Sequence, residues 1–121
     1  MKVNLAEKFA RITDHWTPRI VAELNGQHVK LAKVRGEFVW HDHAAEDELF
    51  LVVRGTLVID FRDRPAVELG PGELCVVPRG VEHRPYTRDG AEVELLLLEP
   101  AGIAHTGGVA DARTVKDYEW L

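Results

Sequence analysis

Short apolar or alternating runs recur along most of the chain, and turn-forming residues separate them. The runs cover 19–23, 28–35, 38–41, 48–54, 56–61, 74–77 and 93–98. Between them lie Asn25-Gly26, Arg35-Gly36, Arg54-Gly55, Gly70-Pro71-Gly72, Pro78-Arg79-Gly80 and Arg88-Asp89-Gly90. Many short strands with closely spaced turn signals predict an all-β sandwich or barrel. The N-terminus differs: Leu5, Lys8, Phe9 and Ile12 fall at helical spacing behind Asn4, an N-cap residue, and predict a short helix. The runs 49–53 and 95–98 are apolar on consecutive positions. Side chains on a strand alternate between faces, so both faces of these strands should be covered, one by the interior and the other by a second sheet or a second subunit. A homodimer is the expectation.

The length of 121 residues suits one domain, and 45% hydrophobic against 29% charged residues is an ordinary globular balance. A net charge of −5 argues against a nucleic-acid partner, which needs a basic patch. The longest apolar run, Leu95 to Leu98, is far too short to span a bilayer, so no membrane association is expected. The first residues lack the continuous apolar segment of a secretory signal, and the single Cys75 allows no intrachain disulfide. Both points lead to an expected cytoplasmic location. Cys75 sits in the apolar run LCVV and is expected to be a buried structural thiol.

Candidate chemistry begins at WHDHAAEDELF, residues 40–50. His41 and His43 are two apart, so on a strand both imidazoles point to one face and chelate one cation. Glu46, Asp47 and Glu48 compete as an oxygen ligand. Glu48 is favoured because it opens the strand 48–54, whereas the other two belong to a polar loop. Its parity with Phe50 and Val52 puts a carboxylate at the head of an apolar interior, and a bound cation offsets the cost of burying it. An H-x-H alone is weak evidence. The stretch GELCVVPRGVEH, residues 72–83, adds a third imidazole, His83, where a turn leads into a new strand. Three histidines and one glutamate would hold a divalent metal and leave positions open.

These two stretches resemble the paired motifs of a small single-domain cupin. Gly36-x4-His41-x-His43-x4-Glu48-x6-Gly55 matches the first motif except that its opening gap is one residue short. Gly72-x5-Pro78-x-Gly80-x2-His83 matches the second, with Thr87 in place of its terminal asparagine. The resemblance implies a double-stranded β-helix, or jelly roll, with a core over about 28–100, an N-terminal arm over 1–27 and a tail over 101–121. It also implies one divalent metal ion, iron, manganese, zinc or nickel, held by His41, His43, Glu48 and His83, and it is consistent with dimerisation through sheet contacts.

Other residues carry weaker signals. His15, His28 and His105 lie outside both motifs and are expected to be solvated or locally hydrogen-bonded. Trp40 should face away from the ligands, Arg54 shares the parity of Glu48, and Tyr86 has the opposite parity to His83. There is no G-x-S-x-G elbow and no glycine-rich phosphate loop. The expected function is a metal-dependent enzyme, dioxygenase-like or isomerase/lyase-like, acting on a small oxygenated or carboxylated compound. The alternatives are a barrel that binds or senses a small molecule, and a purely structural one.

Overall fold

The computed structural model describes residues 1–115 and 117–121. One short helix precedes two antiparallel sheets, in the double-stranded β-helix arrangement. The helix α1 (Leu5–Ala10) starts where Asn4 Oδ1 accepts the Glu7 N–H at 3.0 Å. Eight strands follow: β1 (Arg19–Leu24), β2 (Gln27–Arg35), β3 (Glu48–Arg54), β4 (Leu57–Phe61), β5 (Val67–Leu69), β6 (Leu74–Val77), β7 (His83–Tyr86) and β8 (Glu92–Pro100). The larger sheet has the order β1-β2-β8-β3-β6, and the smaller has the order β5-β4-β7.

The main core lies between the sheets. Ala32, Val34, Phe50, Val52, Leu95 and Leu97 from the larger sheet meet Leu57, Ile59 and Leu69 from the smaller one. Strand alternation produces this directly: in β8, Val93, Leu95, Leu97 and Glu99 are buried while the residues between them are not. A second cluster behind the large sheet contains Phe9, Ile12, Val21 and Leu31, with Leu96 and Val53 packed against it. The helix therefore covers part of the outer face that the consecutive apolar positions required. Leu74 and Val76 on the edge strand β6 remain exposed, at 57% and 50%.

Two glycines are demanded by geometry. Gly55 has φ +88°, and a Cβ there would lie 2.8 Å from the Glu92 carbonyl oxygen. Gly80 has φ +75° and turns the chain so that its N–H donates to the His43 carbonyl at 2.8 Å. That bond ties the two histidine-bearing stretches together.

The strand expected over 38–41 does not form as a regular ladder. The segment is extended and touches β7 through isolated bridges, Glu37 to Tyr86 and His41 to His83. Phe38 donates its N–H to the Pro85 carbonyl at 3.0 Å, but proline has no N–H to return the bond. Cys75 is only half-buried, because the edge position of β6 leaves it partly open.

Candidate metal centre

Backbone pairing brings the site together. His41 and His83 exchange both main-chain bonds, at 3.0 and 2.9 Å, so the end of the first histidine stretch and the start of β7 face each other. Glu48 opens β3, the third wall of the same barrel end. One ligand atom from each of His41, His43, Glu48 and His83 lies within 4.8 Å of the others, and all four residues are buried. Glu46 is half-buried, and Asp47 instead accepts the Arg79 N–H at 2.9 Å and caps a turn.

Hydrogen bonding settles the tautomers of two imidazoles. His41 Nδ1 lies 2.9 Å from the Val39 carbonyl, and His83 Nδ1 lies 2.9 Å from the Val81 carbonyl. A carbonyl only accepts, so each Nδ1 carries the proton and each Nε2 presents a lone pair. The Nε2 atoms of His43 and His83 both sit 3.5 Å from Glu48 Oε1. Among the described residues, His43 Nε2, His83 Nε2 and Glu48 Oε1 are buried without a hydrogen-bond partner. Unpartnered buried polar atoms are rare, and here three converge. Neutral imidazole nitrogens and a carboxylate are the donor set of a divalent transition metal, with bonds of about 2.0–2.2 Å. The residues fit such an ion.

The same crowding shifts protonation. Burial, with the neighbouring His83, pulls the His41 pKa down to about 4. Burial also acts against charge on His43, but its contact with Glu48 outweighs this and raises the pKa. For Glu48, burial pushes upward, yet His43 and His83 hold the carboxyl below the usual range.

Beside the ligands is a cavity of about 30 Å³ lined by His41, Glu48, Trp16, Phe38, Phe50, Leu95 and His105, among others. Trp16 and Phe38 stack at 4.6 Å between ring centres. Trp16 adopts φ +60°, an uncommon conformation for a bulky residue. Three bonds hold it there: its N–H to the Lys33 carbonyl at 2.9 Å, its indole N–H to the Arg35 carbonyl at 2.8 Å, and its own carbonyl to His105 Nε2 at 3.0 Å. On the outer side of His43, a wider cleft of about 310 Å³ lies between residues 42–46 and 102–108.

His105 departs from its expected role. It is 6% exposed, its Nδ1 accepts the Val115 N–H at 3.0 Å, and it forms part of the cavity wall. Its place in a glycine-rich tail gave no periodic signal. His15 and His28 behave as expected, beside Glu92 at 2.7 Å and Glu23 at 3.3 Å. Trp40 stays outside the cavity, with the Arg62 guanidinium 3.9 Å over its ring. Arg54 is exposed beyond a β-bulge. Tyr86 lies beside Arg84 instead of the ligands. Thr87, the departure from the second motif, is 5% exposed; its Oγ1 accepts the Gly36 N–H at 2.7 Å and its own N–H donates to the Gly36 carbonyl at 2.9 Å. The end of the second motif is thus bonded to the start of the first.

Two buried residues beside the site escaped the sequence reading: Lys30 and Glu99, paired at 2.8 Å. Their inward parity among the apolar positions of β2 and β8 was the available signal.

Comparison with known proteins agrees with this architecture. A cupin-2 domain protein from Shewanella frigidimarina is 47% identical, with a TM-score of 0.77 over 81% of this chain and 93% of that one. Bacillus subtilis YdbB is 41% identical over 64 residues, 53% of this chain and 57% of its own length, so the chain matches little more than half of that relative. The hydroquinone 1,2-dioxygenase of Sphingomonas sp. TTNP3, solved with 4-nitrophenol, shares the fold at 21% identity and a TM-score of 0.73, over 83% of this chain and 32% of that one. The family model described as "Cupin domain" matches residues 27–99, which is more than half of the 121 residues. The chain, with its two sheets and its buried His/Glu cluster, belongs to the cupin family.

Proposed function

We propose that this protein is a metal-dependent enzyme in which His41, His43, Glu48 and His83 hold one divalent ion, iron, manganese, zinc or nickel. The observation that carries the proposal is the convergence of buried, unpartnered ligand atoms beside an apolar cavity. Such an ion supplies Lewis acidity or, if it is iron, a centre for dioxygen chemistry. The chain's own residues do the rest. The Val39 and Val81 carbonyls orient two imidazoles. Trp16, Phe38 and Phe50 exclude water and favour the apolar body of a small oxygenated or carboxylated compound, with its oxygen end toward the ligands. A cavity of about 30 Å³ is the room of one or two waters. A larger substrate must enter from the cleft beside His43 or displace Trp16, Phe38 or His105, which reach the cavity from irregular segments. The dioxygenase class draws support from the fold shared with the hydroquinone enzyme; an isomerase or lyase uses the same ligands without oxygen.

The test is metal analysis of protein purified without an affinity tag, followed by oxygen-uptake and product screens on phenols, diketones and small carboxylates. About one ion per chain with metal-dependent turnover is expected; a loaded protein inert across the panel sinks the enzyme. The same buried cluster and cavity also suit a second reading, a barrel that binds a small molecule unchanged. Recovery of intact ligand from such an inert protein would establish it.

The exposed Leu74 and Val76 on an edge strand also support a homodimer. Size exclusion with light scattering should give twice the chain mass, and Leu74→Lys should shift it toward monomer. The free, half-buried Cys75 suits a reducing compartment such as the cytoplasm.

A further inference from the structure

Lys30 and Glu99 are 0% and 1% exposed, and their charged ends meet at 2.8 Å. A buried ion pair is poor value as a source of stability, because well-packed apolar residues of similar volume serve as well or better. Its position explains more. In the β3–β8 register Leu49 faces Leu98 and Phe50 faces Leu97. Continued one step, that register brings Glu48 toward Glu99, so that two buried carboxyls share the inner face of the sheet at neighbouring strand ends. Glu48 Oε1 and Glu99 Oε2 have no hydrogen-bond partner among the described residues. Like charges placed so destabilise a sheet unless cations neutralise them. Lys30 is one such cation, on the Glu99 side. Its Nζ lies 3.5 Å over the Tyr118 ring, whose hydroxyl donates to the Ile103 carbonyl at 2.5 Å. Lys30 is therefore held by Glu99 and by an anchored aromatic face.

We propose that the Lys30–Glu99 pair, braced by Tyr118, is a positioning device for Glu48: Lys30 fixes Glu99, and Glu99 confines the Glu48 carboxylate to the side of the barrel end where the three imidazoles converge. This rests on the metal reading above. Lys30 keeps Glu99 from turning into the ligand cluster. Neither residue touches the substrate cavity, so they act through Glu48 alone.

The experiment uses the full chain and Co²⁺ as the probe, with the dissociation constant measured by chelator competition and the ligand environment by visible absorption. The unsubstituted chain should bind one Co²⁺. Glu99→Gln and the volume-matched double variant Lys30→Met/Glu99→Leu should raise Kd by about 10- to 100-fold, the usual effect of losing a group that orients a ligand, and should alter the absorption bands. The double variant removes both charges together, so it keeps the test open if Glu99→Gln fails to fold. A folded double variant with Kd within about twofold of the parent and unchanged bands overturns the positioning role while leaving the metal site intact. Absence of Co²⁺ binding by the parent chain overturns both.

Discussion

The four-residue cluster and the Lys30–Glu99 pair are equally buried at the same end of the barrel, yet they are completed differently. Lys30 has a carboxylate and an aromatic face as partners, both supplied by the chain. In the cluster the His83 Nε2 lone pair faces Glu48 Oε1 at 3.5 Å, His43 Nε2 lies at the same distance, and none of the three atoms has a hydrogen-bond partner among the described residues. The first arrangement supplies a counter-charge from within the chain, although Glu99 Oε2 stays unpartnered; the second has none within the chain, and in the proposed reading a cation from solution provides it. Burial alone therefore does not mark a functional site here; the mismatch among buried groups does.

The largest effect that would sharpen this contrast is loss of a ligand. His83→Ala should raise the Kd for Zn²⁺ at least about 100-fold and leave the purified protein nearly free of metal, as read by elemental analysis. Unchanged metal content would break the contrast outright. Metal removal comes next. At a free ion concentration 100 times Kd, binding contributes about 2.7 kcal/mol, so a chelator should lower Tm by roughly 10 °C. His83→Ala should show no such chelator effect.

A comparable change should follow pH in the metal-free protein. His41 has a folded pKa of about 4 against 6.5 unfolded. Above pH 6.5 both states are neutral there and nothing changes. Between pH 6.5 and about 4 the unfolded state takes up the proton first, so stability falls, by about 3 kcal/mol in total from this group. His43 is shifted the other way and offsets part of the loss. Chelator-treated protein should show Tm falling over this window, and a flat profile would mean that His41 is not desolvated as described. The smallest effect concerns the frame around the site. Thr87→Val removes the acceptor for the Gly36 N–H and should destabilise by about 1–2 kcal/mol in urea unfolding. Thr87→Ser should restore most of it, with Zn²⁺ affinity unchanged in both, because Thr87 holds the motif ends together and not the ligands.

Much of the site was legible because turn grammar carries it. Gly80 allows the positive φ that returns the chain to His43, and Glu48 heads an alternating strand. The failures have physical causes as well. The aromatic run 38–41 has strand composition, but its partner stretch contains Pro85, which cannot close a ladder. Trp16 and His105 lie in irregular segments without periodicity, so nothing local announces that they wall the cavity.

The sequence by itself determined the all-β architecture, the helix cap at Asn4 and the four residues that could hold a metal ion, because spacing along a strand and around a turn fixes which way neighbouring side chains point. Only the tertiary structure decided which groups share the site. Lys30 and Glu99 are 69 positions apart, His105 and Trp16 are 89 apart, and Thr87 and Gly36 are 51 apart. Each pair meets through strand register and loop closure, which depend on the packing of the whole barrel and not on any local pattern.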